Sequence, residues 1–304
     1  MAELIKNKEN LIKGVPSIEL FSKGHNACQG CGSALAMRLI LKASGKNTII
    51  TQATGCMEVV STPYPLSAWK VPYLHSAFEN AAATASGISR ALKMQGKNTK
   101  VIAIAGDGGT YDIGFQALSG ALERKEKITF ICYNNEAYSN TGVQRSGATP
   151  KYASTTTTPY ETKIHGKLKI KKPMPFIIAA HKIPYTATAN IAYPEDLINK
   201  IKKALNLQPS YVEILCPCVP GWKIKPNQTI KIARLAFETN FYPLYEIENN
   251  KLILKENPNK KPVSEYLKLQ GRFKHLTKKE IKEIQTLVDE NYKRLLKYKN
   301  KLLL

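Results

Sequence analysis

Val101-Ile102-Ala103-Ile104-Ala105-Gly106-Asp107-Gly108-Gly109 and Ile128-Thr129-Phe130-Ile131-Cys132-Tyr133-Asn134-Asn135 are two apolar runs, each breaking into a polar cluster. Runs this uniformly apolar suit strands covered on both faces, as in a parallel sheet. Residues 113–122 between them read as a helix, so the two strands should run parallel and end side by side. Working outward, residues 47–53 form a short β-branched strand ending at Thr54-Gly55-Cys56, and residues 33–43 read as a helix with Ser33 near its N-cap. Residues 76–94 are rich in Ala, Gly and Ser, which suits a helix packed closely on a sheet. Further strands are expected at 175–180, 185–189 and 211–215, a helix near 196–205, and an amphipathic helix at 278–297. This alternation predicts an α/β fold with a doubly wound, mostly parallel sheet. Residues 139–166 read as a long Thr-, Gly- and Ser-rich loop, and a loop of that length inside a domain is usually functional.

The composition narrows the function classes. At 304 residues and 43% apolar, the chain can bury a large core, which excludes disorder and disulfide-stapled miniproteins. No stretch approaches the roughly 20 apolar residues of a membrane span. Residues 1–13 mix Lys and Glu without an apolar core, so no secretory signal is expected and the chain reads as cytoplasmic. The net charge is +22, with 29 Lys/Arg against 13 Asp/Glu in residues 151–304. A basic face of this kind suits an acidic protein partner, an anionic surface or nucleic acid. No aromatic-interleaved basic stripe points to nucleic acid, and solvated lysines are the plain alternative.

At the paired strand ends, Gly106, Gly108 and Gly109 permit close backbone approach to phosphate oxygens. Asp107 would repel a bare phosphate, but it makes sense if a divalent cation lies between them. Asn135 adds a neutral oxygen from the neighbouring strand end, and the Ala137 carbonyl is a candidate third ligand. Mg²⁺ takes hard oxygen ligands in an octahedron and is usually shared with phosphate.

Six cysteines occupy positions 28, 31, 56, 132, 216 and 218. Cys28-x-x-Cys31 has the spacing of two ligands on one centre. Cys56 and the Cys216-Pro217-Cys218 pair each follow a strand, so they can converge on the same sheet edge. Four thiolates suit zinc or an iron–sulfur cluster equally well by spacing. Cys132 reads as a packed core thiol. Of the Cys216/Cys218 pair, Cys218 begins a turn and is favoured. His25 and His75 suggest core or hydrogen-bonding roles.

Gly-Asp-Gly followed at this interval by Asn-Asn resembles the signature of thiamine diphosphate enzymes. The chain as a whole resembles the β subunits of 2-oxoacid:ferredoxin oxidoreductases, most closely those acting on pyruvate. The resemblance rests on Gly24-His25 through Cys31-Gly32, Thr54-Gly55-Cys56, Gly106 through Gly114, and Tyr138-Ser139-Asn140-Thr141-Gly142. It extends to Pro217-Cys218, Gly221-Trp222 and Gln270-Gly271-Arg272-Phe273. It implies a thiamine diphosphate-binding domain, expected over 25–250, between a lead-in read over 1–24 and a Lys-rich extension read over 251–304. It further implies that Cys28, Cys31, Cys56 and Cys218 hold one [4Fe–4S] cluster, and that Asp107, Asn135 and Ala137 hold Mg²⁺. Ser33, Cys56, Gly106, Gly108, Gly109 and residues 135–140 would line the cofactor, with Asn140 reaching the 2-oxoacid. Ser33 stands where the family often has Glu, and Asn135 where many relatives have Thr; both alternatives at 135 offer an oxygen.

The implied reaction is oxidative decarboxylation of pyruvate with coenzyme A, the electrons leaving through the cluster to ferredoxin. After decarboxylation the thiamine adduct is electron-rich, which favours a redox cluster over zinc. The glutamate that activates the aminopyrimidine must come from another chain, so an α subunit is expected, with γ and ferredoxin-like δ subunits. The basic surface would then meet acidic ferredoxin. Rival readings are the same chemistry on a branched-chain 2-oxoacid or 2-oxoglutarate, a non-oxidative decarboxylase with structural zinc, and a basic zinc protein binding nucleic acid. The last leaves the paired strand-end motifs unexplained.

Overall fold

In the strand β3 (Lys100–Gly106), Ile102 and Ile104 point into one hydrophobic core while Val101, Ala103 and Ala105 point into another. Apolar residues on both faces require cover on both faces, and this strand lies at the centre of the structure. The computed structural model describes residues 14–161 and 165–303. Strands β1 (Thr48–Ala53), β2 (Tyr73–Ser76), β3, β4 (Thr129–Asn134), β5 (Tyr185–Asn190), β6 (Ser210–Leu215), β7 (Tyr245–Glu248) and β8 (Lys251–Leu254) form one sheet. Their order is β2-β1-β3-β4-β6-β5-β7-β8; the first six in sequence run parallel, and β7 and β8 add antiparallel. The expected doubly wound, mostly parallel sheet is therefore present.

The helices are α1 (Gly32–Ser44), α2 (Cys56–Ser61), α3 (Ala81–Met94), α4 (Phe115–Glu123), α5 (Met174–Ala179), α6 (Pro194–Asn206), α7 (Val219–Trp222), α8 (Thr229–Glu238), α9 (Val263–Leu267) and α10 (Lys278–Tyr298). Met37, Ile40 and Leu41 of α1 join Leu197, Ile198 and Ile201 of α6 on one face of the sheet. Ala81, Ala82 and Ala85 of α3 pack with Leu118 of α4 against the small Ala103 and Ala105 on the other face. Among the described residues no helix is long and apolar enough to cross a membrane.

Three local expectations are corrected and one strand goes unread. The helix expected over 76–94 begins only at Ala81, because Ser76 ends β2. Residues 175–180, expected as a strand, lie largely in α5, because Pro175 sits in its first turn and Met174 and Ile178 share its buried side. The helix after β3 begins only at Phe115, since Gly108–Asp112 first forms a π-helical turn closed by Ile113 N–H donating to Gly108 O at 3.2 Å. Edge strand β2 escapes a pattern reading because its two central residues are both exposed. The first 13 residues of the expected lead-in lie outside the described residues. The expected boundary at 250/251 falls in the turn between β7 and β8, and Leu252 and Leu254 share a core with Leu295 of α10.

The long loop after β4 contains no helix or named strand among its described residues. Lys167, 3% exposed, gathers it by donating to Ser146 O (3.4 Å), Gly147 O (3.3 Å) and Thr149 O (2.5 Å). Burial pushes the Lys167 ammonium down to about 8 from 10.5. Below about 8 both folded and unfolded chains carry this proton; between about 8 and 10.5 only the unfolded chain does, so this group makes stability rise with pH across that window. Lys167→Met should remove that contribution, so that the stability difference between wild type and variant, followed by denaturant unfolding, grows in favour of wild type from about pH 8 to 10.5. A difference that stays flat across the window would contradict this assignment.

Candidate cofactor site and thiol cluster

Gly106 of β3 lies opposite Tyr133 of β4, so Asp107 and Asn134-Asn135 leave adjacent strands together at the carboxyl edge of the sheet. This is where open α/β sheets bind ligands. Asp107 is 0% exposed. Its Oδ1 accepts the Asn135 N–H at 3.2 Å and its Oδ2 accepts the Ser146 hydroxyl at 2.5 Å. Burial nevertheless pushes its carboxyl up to about 8. Among the described residues no ion pair neutralises it, and a buried carboxylate needs a cation to remain charged at neutral pH.

The Asn135 amide supplies the next observation. Its terminal atom facing the site lies 2.7 Å from Ala137 O and 3.0 Å from Asp107 Oδ1. Turned as NH₂, the amide hydrogen-bonds both, and Ser139 Oγ at 2.9 Å as well; turned as C=O, it accepts the Ser139 hydroxyl and brings three oxygens together. The second arrangement is a hard-cation ligand set, and the residues fit Mg²⁺.

These groups border a cleft of about 160 Å³, whose lining also includes Thr54, Cys56, Gly106, Gly108 and Asn140. Asn140 is exposed at its mouth. A Cβ on Gly108 would stand 2.4 Å from the Tyr138 ring, so only glycine lets that ring close over the turn. Gly109 is buried beneath the turn against Ala105 and Phe78 and does not line the cleft. Ser33 is also buried away from it, with its hydroxyl directed at the Cys216 thiol.

Further residues hold this edge in shape, and sequence reading did not single them out individually. Tyr138 O–H donates to Asp112 Oδ2 at 2.9 Å, and Gly147 N–H donates to the same oxygen at 2.8 Å. Glu136, with φ of 63°, turns between Asn135 and Ala137 and pairs with Arg272 at 2.6 Å, both side chains buried. The Arg272 guanidinium lies 3.8 Å from the Trp222 ring centroid, and Trp222 Nε1–H donates to Asn135 O at 2.7 Å. On the other side, Glu213 accepts from Tyr111 O–H at 2.5 Å and Asn134 Nδ2–H at 3.0 Å, tying the turn after β3 to the end of β4. Arg272, Trp222 and Asp112 do fall within the motifs that carried the resemblance. Ser146 lies in the loop flagged by its length, and Glu213 had no signal beyond being a carboxylate inside an apolar strand.

The cysteines gather at the same edge. Gly32 N–H donates to Pro217 O at 3.3 Å, joining the Cys28–Cys31 segment to the turn after β6. Desolvation, followed by the charges of Cys218, Cys31 and Cys28, pushes the Cys56 thiol up to about 12. Burial likewise raises Cys31 and Cys218, and each also senses Cys28. Cys218 is half-buried and accepts the Gly221 N–H at 3.4 Å, whereas fully buried Cys216 donates its S–H to Ile214 O at 3.3 Å. Cys132 is packed within β4. Among the described residues no three His, Cys, Asp or Glu side chains are arranged to hold a metal ion. The four thiols share one edge without closing on a single point.

A larger cavity of about 490 Å³ lies between α10, α5 and the far end of the sheet. None of the sequence-predicted site residues lines it, and it lacks the glycine turn and the convergent oxygens. Size alone therefore does not locate the chemistry.

Residues 53–214 match the thiamine pyrophosphate enzyme, C-terminal TPP binding domain family. Pyruvate synthase subunit PorB of Methanocaldococcus jannaschii is 54% identical over 94% of this chain and 99% of that protein. Ketoisovalerate oxidoreductase subunit VorB of Pyrococcus furiosus is 48% identical over 95% of this chain and 97% of that protein. The fold is also that of a 2-oxoglutarate:ferredoxin oxidoreductase from Magnetococcus marinus, solved with 2-oxoglutarate, coenzyme A and succinyl-CoA bound; the TM-score is 0.57 at 19% identity, over 73% of this chain and 84% of that one. With the strand-end turn, the convergent oxygens and the gathered thiols, these matches place the chain in the family of 2-oxoacid:ferredoxin oxidoreductase β subunits, built on a thiamine pyrophosphate-binding domain.

Proposed function

We propose that this chain is the thiamine diphosphate-binding subunit of a pyruvate:ferredoxin oxidoreductase, converting pyruvate and coenzyme A to acetyl-CoA and CO₂. The observation that carries this reading is the convergence of Asp107, Asn135 and the Ala137 carbonyl beside Cys56 in one cleft. Thiamine diphosphate, when bound, supplies the nucleophilic carbon and the electron sink for decarboxylation. Asp107, Asn135 and Ala137 would hold Mg²⁺ against its diphosphate, with Gly106 and Gly108 admitting the phosphates to the backbone. Asn140, at the mouth, would orient the 2-oxoacid. Cys28, Cys31, Cys56 and Cys218 would hold a [4Fe–4S] cluster, which would supply one-electron acceptance, and Cys56 also lines the cleft.

The cleft is below the roughly 300–1,000 Å³ of an ordinary enclosed small-molecule site, which supports a half-site completed by another chain. In this reading an α subunit supplies the activating glutamate, γ and δ subunits complete the particle, and ferredoxin takes the electrons. The similarity to both pyruvate- and ketoisovalerate-named subunits supports a second reading with a branched-chain 2-oxoacid.

The assembled complex, assayed anaerobically for coenzyme A-dependent ferredoxin reduction, should prefer pyruvate over 2-oxoisovalerate and 2-oxoglutarate by roughly tenfold or more in kcat/KM. The reverse preference would replace pyruvate as the substrate.

The buried Asp107 carboxyl adds a proton linkage. With its carboxyl near 8, Mg²⁺ binding at neutral pH must expel a proton. Apparent Mg²⁺ affinity, measured by titration calorimetry, should rise about tenfold per pH unit up to about 8 and then level off. Asp107→Asn should abolish the slope and weaken binding. A wild-type affinity independent of pH below 8 would remove Asp107 from the ligand set.

A further inference from the structure

We propose that Thr54 and His75 form a proton relay between the cofactor cleft and bulk water, with Glu58 positioning the imidazole. The inference rests on the oxidative decarboxylation proposed above. Thr54 leaves the end of β1 and lines the cleft together with Asp107 and Cys56. Its hydroxyl lies 2.7 Å from His75 Nε2 and 3.2 Å from Ser76 O. His75 comes from the neighbouring strand β2, in register with Gln52 of β1, and its side chain is 45% exposed. Its Nδ1 faces Glu58 Oε1 at 3.7 Å, and Glu58 is held in α2, where it accepts the Thr62 hydroxyl at 3.3 Å.

The order cleft, hydroxyl, imidazole, carboxylate sets the tautomer. A carboxylate beside Nδ1 favours the proton there and leaves the Nε2 lone pair facing the Thr54 hydroxyl. Between its two acceptors that hydroxyl has the shorter contact to Nε2. The other ionisable groups of the cleft are poorly suited to carry protons. Asp107 and Cys56 belong to the metal and cluster readings, and burial pushes the Tyr133 and Tyr138 hydroxyls well up.

The reaction has a proton to dispose of. A 2-oxoacid anion and the thiol of coenzyme A give an acyl thioester, CO₂, two electrons and one proton; ferredoxin takes the electrons. The C–C bond to the carboxylate and the S–H bond break, and the C–S bond forms. Thr54 passes its hydroxyl proton to His75 Nε2 as it accepts the proton released in the cleft, and the exposed imidazolium gives its proton to water. In the reverse direction the same path delivers a proton inward.

The test uses the assembled holoenzyme with pyruvate, coenzyme A and ferredoxin. His75→Ala and Thr54→Val should retain wild-type iron and thiamine content yet turn over roughly tenfold to a hundredfold more slowly. Added imidazole should restore His75→Ala in a dose-dependent way and leave Thr54→Val slow. With a pH-indicator dye in weak buffer, proton release in His75→Ala should lag behind ferredoxin reduction. His75→Gln, which keeps a hydrogen-bonding amide toward Thr54 but cannot take up a proton, should be as slow as His75→Ala. Wild-type rates in His75→Gln, or a slow His75→Ala indifferent to imidazole, would overturn the relay while leaving the oxidoreductase reading intact. A wild-type complex without any 2-oxoacid-dependent reduction would overturn the reading beneath it, and the relay with it.

Discussion

A carboxylate sealed at the end of a central strand, with no positive side chain to meet it among the described residues, is the constraint around which this molecule is arranged. Asp107 is there because β3 delivers it there, and β3 can run through the middle of the protein because both its faces are apolar. Two hydrogen bonds, from Asn135 N–H and the Ser146 hydroxyl, only partly offset the loss of water. A divalent cation shared with a diphosphate would supply the missing charge. The Asn135 amide and the Ala137 carbonyl converge on the same point.

Holding three oxygens so close requires a rigid surround, and much of it comes from distant parts of the chain. The turn at Glu136 adopts a left-handed conformation, stabilised by its buried pair with Arg272 from the C-terminal region. Breaking such a pair by removing one partner leaves an uncompensated buried charge, which costs about 3–5 kcal/mol. Arg272 also lies on Trp222, which in turn bonds to Asn135 O and ends the short helix that Cys218 caps. The Asp107–Asn135 edge and the thiol edge therefore share one support. The Lys-rich end of the chain is part of the site's scaffold through this contact, and β8 is part of the sheet itself.

Local chemistry explains what was legible in the sequence. Strands β3 and β4 are continuous apolar runs ending in Gly, Asp and Asn, so type, direction and chemistry could all be read from residues 101–109 and 128–135. The cysteines could be read as a set, although spacing alone could not separate Cys216 from Cys218; the buried S–H of Cys216 and the turn position of Cys218 distinguish their environments. Ser33 was placed against the cofactor by resemblance and Gly109 by both the turn and the resemblance; in the fold both are buried and neither lines the cleft. Ser146, Glu136 and Glu213 acquire their roles from contacts across at least 39 residues of sequence, as with Ser146 and Asp107, which no local pattern encodes. His75 looked like a core or hydrogen-bonding histidine; it is half exposed, and its bond to Thr54 reaches the cleft. Residues 175–180 misled because a short apolar run fits either period, and Pro175 starts a helix rather than an edge strand.

The central claim is that the Asp107–Asn135 edge and the thiol edge act as one electron-transferring half-site. Its most direct measurement is iron, acid-labile sulfide and zinc on the anaerobically purified assembly, with absorption spectra before and after pyruvate and coenzyme A. Cys218→Ser and Cys216→Ser assemblies provide the internal comparison. The account predicts iron and sulfide in equal amounts, a spectrum that bleaches with pyruvate, and loss of one cluster's worth of iron in Cys218→Ser but not in Cys216→Ser. Zinc at the thiols with no spectral response to pyruvate would contradict it, leaving a thiamine fold whose cysteines are structural.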